Sequence, residues 1–132
     1  MKRRQVAGRY EPGNNILHLW FPDPVMLTTK ESVETFFSEV IADWVQPISN
    51  RFYLLVNYTN LRIHASMADA YAQATGRFQH KVLGTFRYHI DSPFTGLAVS
   101  LGTFQLKARS NIFQSEEEAR EAIRKARETT KD

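Results

Sequence analysis

The chain has 132 residues, 42% of them hydrophobic and 23% charged, with a formal net charge of +3 and no cysteine. That length suits one domain with its own core, and the missing cysteines exclude disulfides, thiolate metal sites and cysteine nucleophiles. A sequence pI near 9.3 raises nucleic acid as a partner, but Arg51, Arg62, Arg77, Lys81, Arg87, Lys107 and Arg109 are scattered and read as solvated surface, so nucleic acid is not expected.

The N-terminal MKRRQVAGRYEPG is basic with no apolar stretch behind it, unlike a signal peptide. No window approaches a membrane-spanning length, so we expect a cytoplasmic protein without membrane insertion. Pro12-Gly13-Asn14-Asn15 is a turn signal between Val6–Tyr10 and Ile16–Phe21, which predicts a β-hairpin. Pro22 and Pro24 stop its second strand, because proline cannot donate to a ladder.

In TTKESVETFFSEVIADWVQPI, Val33, Phe36, Phe37, Val40, Ile41, Trp44 and Val45 recur at three- and four-residue spacing. This predicts a helix, with Thr28 and Glu31 at capping-box spacing and Pro47 ending it. RFYLLVNYTNL predicts a strand whose run Phe52–Val56 is apolar without alternation, as for a strand covered on both faces. SMADAYAQATGRFQHKV predicts a second helix, with Ser66 and Asp69 again at capping-box spacing.

LGTFRYHID is a shorter strand with Phe86, Tyr88 and Ile90 on one side. The segment 93–108 fits strand and helix periodicities, and the Asp91-Ser92-Pro93 start tips it toward a third helix. SNIFQ predicts a last strand. SEEEAREAIRKARETTKD predicts a terminal helix with Ala119, Ala122, Ile123 and Ala126 inward and Ser115–Glu118 as its capping box. Strands alternating with about four helices predict a single α/β domain over 1–132, its core from about 6 to 127 and its termini frayed, with a mostly parallel sheet begun by the hairpin. The hairpin edge can be blocked or can pair with a second chain, so the oligomeric state stays open.

That order, with YLLVNYTNL, NIF and EEAREAI as local likenesses, resembles the STAS family and within it the sporulation-type anti-sigma-factor-antagonist-like domains. The resemblance implies a STAS-like fold and a non-enzymatic regulatory domain that works through a protein partner. It places Asn57 where the family often has a strand aspartate, and Ala65-Ser66-Met67-Ala68 at its phosphorylation loop. Alanine stands before Ser66 where signalling members have aspartate, which counts against phosphoregulation here. Ser66 is therefore either a phosphoacceptor or a helix cap, since serine with an acid three residues on is an ordinary N-cap. The candidate partner surface comprises Ser66, Met67, Asp69, Asn60 and Tyr58. A candidate binding rim at the strand ends comprises Asp23, Tyr58, Thr59, Asn60, Asp91 and Ser92.

His18, His64, His80 and His89 show no metal-ligand spacing, and no glycine-rich phosphate loop or nucleophile elbow is present. No metal, cofactor or catalytic role is expected. The alternative function is a small-molecule or lipid-binding module, motivated by Phe94, Leu97, Leu101, Phe104 and Phe113 around the expected third helix.

Overall fold

The computed structural model describes residues 4–90, 95 and 111–129. Strands β1 (Ala7–Glu11) and β2 (Ile16–Trp20) form the expected antiparallel hairpin. β4 (Phe52–Asn57), β6 (Val82–Tyr88) and β7 (Asn111–Phe113) follow in parallel, giving a five-stranded sheet ordered β1-β2-β4-β6-β7. The unbroken apolar run of β4 thus occupies the sheet centre, buried from Phe52 to Val56.

A second, two-stranded parallel sheet joins β3 (Val25–Leu27) to β5 (Leu61–Ile63). Both are three residues long and each continues a main-sheet strand after a break, at Pro22–Pro24 and at Tyr58–Asn60. Asn60 holds them together. Its backbone adopts φ 74°, its carbonyl accepts from Val25 N–H at 2.8 Å, and its side-chain amide donates to the Phe21 carbonyl at 2.9 Å. Asparagine is among the few residues that tolerate such a φ.

Helix α1 (Lys30–Glu39) tightens its cap one residue later than the sequence predicts. Thr29, not Thr28, is the N-cap, and Ser32 reciprocates in place of Glu31. The chain continues as a π-helix over Val40–Val45, closed by a Gln46 N–H to Ile41 carbonyl bond of 2.9 Å. This wider turn keeps Val40 and Val45 in the core while the Trp44 indole donates to the Val6 carbonyl at 3.3 Å. Helix α2 (Ala68–Thr75) is flanked by 3-10 turns at Ala65–Met67 and Gly76–Lys81.

Helix α3 (Glu116–Thr129) starts at Ser115, whose hydroxyl accepts the Glu118 amide at 3.2 Å as expected. Three α-helices are present among the described residues, against an expected four. The expected helix over 93–108 lies outside them, as do Asp91, Ser92 and both terminal segments.

The sheet separates two cores. On one face α1 and α2 cover Leu17, Leu19, Leu54 and Val56; on the other α3 places Ala119 and Ile123 against Ile16, Tyr53, Leu55, Phe86 and Tyr88. Alternation along each strand delivers its side chains to both cores. No described helix is long and apolar enough to cross a membrane.

Candidate functional site

Two features of this sandwich concentrate polar chemistry, one on each face. On the α3 face, His18 of β2 meets the Tyr88 hydroxyl at 2.7 Å, and that hydroxyl lies 3.4 Å from Glu116 at the start of α3. Arg120 donates to Glu116 at 2.8 Å and bidentately to Glu11 of β1 at 2.8 and 3.0 Å. Hydrogen bonding by Arg120 holds the Glu11 carboxyl down at about 2, and also lowers Glu116. Burial lowers His18, keeping its imidazole neutral at pH 7, and burial with the adjacent Glu116 pushes Tyr88 up to about 12. A cleft of about 290 Å³ opens here between Arg9, Trp20 and Asn57. Its carboxylates Glu11 and Glu116 both meet Arg120, so the cluster is satisfied from within and ties α3 to the hairpin.

The α1/α2 face differs. A cavity of about 830 Å³ runs beside β6, walled on this side by Phe37, Tyr58, Tyr71, Phe78 and Arg87. Phe37 makes edge contacts with Tyr71 at 5.3 Å and lies 6.2 Å from Phe78, so the aromatic wall is continuous. The Tyr58 and Tyr71 hydroxyls pair at 2.7 Å, and burial raises Tyr71 well above the ordinary phenol range. The cavity reaches past β6 where β7 pairs only with Phe86–Tyr88; on the edge of β6 away from β4, no strand among the described residues covers Val82–Thr85. There the register of β4 against β6 also shifts at Phe52/Tyr53.

Arg87 is the exceptional residue of this wall. Phe86 and Tyr88 on either side of it face α3, so β-alternation sends Arg87 toward α1 and α2. Its Nε and Nη1 are buried with no hydrogen-bond partner. No Asp or Glu lines the cavity among the described residues; its charged lining is Arg51, Arg87 and Lys125. Arg87 as a whole is half-buried, and donor nitrogens left buried without an acceptor cost about 1–3 kcal/mol. Grouping Arg87 with the solvated surface charges is therefore corrected by its position. The signal was available: β6 lies between two covered faces, so a residue between Phe86 and Tyr88 must point into a layer.

The residues predicted from sequence fall into three groups. Ser66 is exposed in the 3-10 turn before α2, with its Oγ 2.8 Å from His64 Nδ1. The side chain that accepts the free amide there is His64, which takes Ser66 N–H at 3.2 Å, so the cap expected of Ser66 is supplied two residues earlier. Met67 is half-buried and Asp69 exposed beside it. Asn60 acts structurally at the β3/β5 junction, and Asp23 is exposed in the Pro22–Pro24 break before β3. Tyr58, expected on a partner surface, is instead 3% exposed and belongs to the cavity wall. Among the described residues, no three His, Cys, Asp or Glu side chains gather as a metal site.

No protein-family model matches the chain, and neither the curated proteins nor the solved structures contain a match.

Proposed function

We propose that this protein is a non-enzymatic binding module that holds a small apolar molecule in the cavity beside β6. The observation that carries the reading is a cavity of about 830 Å³ with an aromatic wall of Phe37, Tyr71 and Phe78. This falls within the roughly 300–1,000 Å³ typical of small-molecule sites, which are apolar with a few polar groups. The Tyr58–Tyr71 hydroxyl pair and Arg87 are such groups. The reading differs from the sequence expectation in place: the pocket wall comes from β4, β6, α1, α2, the 3-10 turn after α2 and the last turns of α3. Of the expected pocket residues, Phe94, Leu97, Leu101 and Phe104 lie outside the described residues. Phe113 stacks on Phe86 across the α3 face at 6.2 Å.

The test is mass spectrometry of an organic extract from protein purified without detergent, paired with thermal denaturation across a panel of apolar compounds. A co-purifying molecule, or a reproducible rise in Tm, is expected. A clean extract with no shift across the panel refutes the reading.

A second reading retains the STAS-like regulatory function in the cytoplasm, working through a protein partner. It is favoured by the exposure of Ser66 at the turn before α2, where an added phosphate would place new negative charge on the surface beside Met67 and Asp69. Under it, Ser66→Asp weakens a partner complex isolated from the native cell while the melting curve stays unchanged. Equal recovery of the partner by both proteins refutes it.

A further inference from the structure

We infer that the ligand of this cavity is an amphipathic monoanion, an apolar carboxylic acid whose carboxylate pairs with Arg87 while its hydrocarbon lies along Phe37 and Phe78. This inference rests on the reading of the cavity as a ligand site and adds the charge of the occupant.

Three observations converge on it. Arg87 has two guanidinium nitrogens, Nε and Nη1, buried without an acceptor. Buried polar groups in folded proteins are nearly always hydrogen-bonded, and an exception points to a partner that binds there. The cavity lining contains cations and, among the described residues, no carboxylate. An entering anion therefore meets attraction without a competing acid. Finally, the neighbouring hydroxyls are committed to one another. Tyr58 and Tyr71 pair at 2.7 Å, and burial keeps Tyr71 in its neutral form, so neither supplies a counter-charge to Arg87.

The charge of the ligand follows from the placement of the cations. Arg51 already donates to the Val82 carbonyl at 3.3 Å, and Lys125 comes from α3 on the other side of the sheet. Among the described residues that leaves one guanidinium on the aromatic side, which suits one negative charge better than the two of a phosphate monoester. A carboxylate also matches the planar fork of arginine and can accept two parallel N–H bonds. The aromatic wall then requires that the rest of the molecule be apolar.

The experiment is calorimetric titration of lipid-stripped protein at pH 8 with dodecanoate and, separately, with 1-dodecanol, which has the same chain without the charge. The wild type is expected to bind dodecanoate at least about tenfold more tightly than the alcohol, as a charge-assisted bond implies. Arg87→Met is expected to remove that preference while keeping affinity for the alcohol, and Arg87→Lys to keep part of it. Equal affinities of wild type for the two probes overturn the inference and leave the apolar binding module standing. Unchanged dodecanoate affinity in Arg87→Met overturns it equally. Failure of the wild type to bind either probe overturns the inference, and the module reading falls with it when the organic extract is also clean and the compound panel gives no shift. The wild-type comparison decides the matter even where a variant fails to fold.

Discussion

Acid should unfold this protein through the clamp between the hairpin and α3, and Glu11→Gln should expose that. Glu11 accepts both terminal nitrogens of Arg120 at 2.8 and 3.0 Å, with only 12% of its side chain exposed. Its carboxyl is held from the usual 4.5 down to about 2, chiefly by the Arg120 hydrogen bond. A folded-state value below the unfolded one means stability that is fully present above about pH 4.5 and lost as pH falls toward 2. At 1.36 kcal/mol per tenfold change in proton affinity, the full effect is about 3 kcal/mol. Arg120 is 30% exposed, so solvent screening trims this to about 2 kcal/mol. Urea denaturation of wild type and Glu11→Gln from pH 7 down to pH 2 measures it. The variant should be less stable by about that amount at pH 7, and the gap should close as pH approaches 2. Glu116, also lowered by Arg120, leaves a residual acid slope in both proteins. A gap undiminished at pH 2, or no gap at pH 7, refutes the assignment.

Four further perturbations test the rest of the structure. Tyr58→Phe or Tyr71→Phe strands a buried hydroxyl and should each cost about 1–3 kcal/mol in urea melts. The double variant should cost clearly less than the two combined, whereas additivity would mean the hydroxyls do not interact. Gly8→Ala brings a Cβ to 2.7 Å from Leu19 Cδ2 and 3.0 Å from the His18 carbonyl, so Tm should fall by several degrees, about 1–3 kcal/mol; an unchanged Tm would mean β1 sits farther from β2. Ile123→Ala opens the α3 core, where Ile123 is 1% exposed, and should cost about 2–4 kcal/mol by the same melts. Arg87→Met should stabilise ligand-free protein by about 1 kcal/mol, since it removes two buried nitrogens that have no acceptor from a half-buried side chain; a loss of stability would mean the guanidinium is satisfied in the free protein.

Periodicity carried most of the fold. The hairpin was marked by the Pro12–Asn15 turn, β4 by its unbroken apolar run, and α3 by Ala119 and Ile123, which are 0% and 1% exposed. What escaped it were features set by geometry between segments. The β3/β5 sheet consists of two three-residue strands, too short for any period to register, and it depends on Asn60 reaching Phe21 across 39 residues. The cap of α1 moved by one residue because the Ser32 hydroxyl reaches two backbone amides, a competence that the acid-at-N3 pattern overlooks. Before α2 the chain first makes a 3-10 turn capped by His64, whose ring nitrogen accepts the Ser66 amide, so Ser66 lies inside that turn and not at its cap.

The site was less legible than the fold, for a related reason. Ser66 stands out in a sequence because its neighbours form a familiar cap pattern, whereas Arg87 looks like any other scattered basic residue. Its meaning depends on two facts that no local window contains: which face of β6 it occupies, and whether an acid lies across the layer. The two faces of this sheet answer the second question differently. On the α3 face Arg120 meets two carboxylates, and the charges there hold a helix in place. On the α1/α2 face Arg87 meets none among the described residues and borders a cavity lined with aromatic rings. A paired charge at a layer boundary needs nothing further to explain it, since its partner offsets the cost of desolvation. An unpaired one lowers the stability of the free protein, and stability lost at one point in an otherwise well-packed domain is the usual mark of a site shaped for binding.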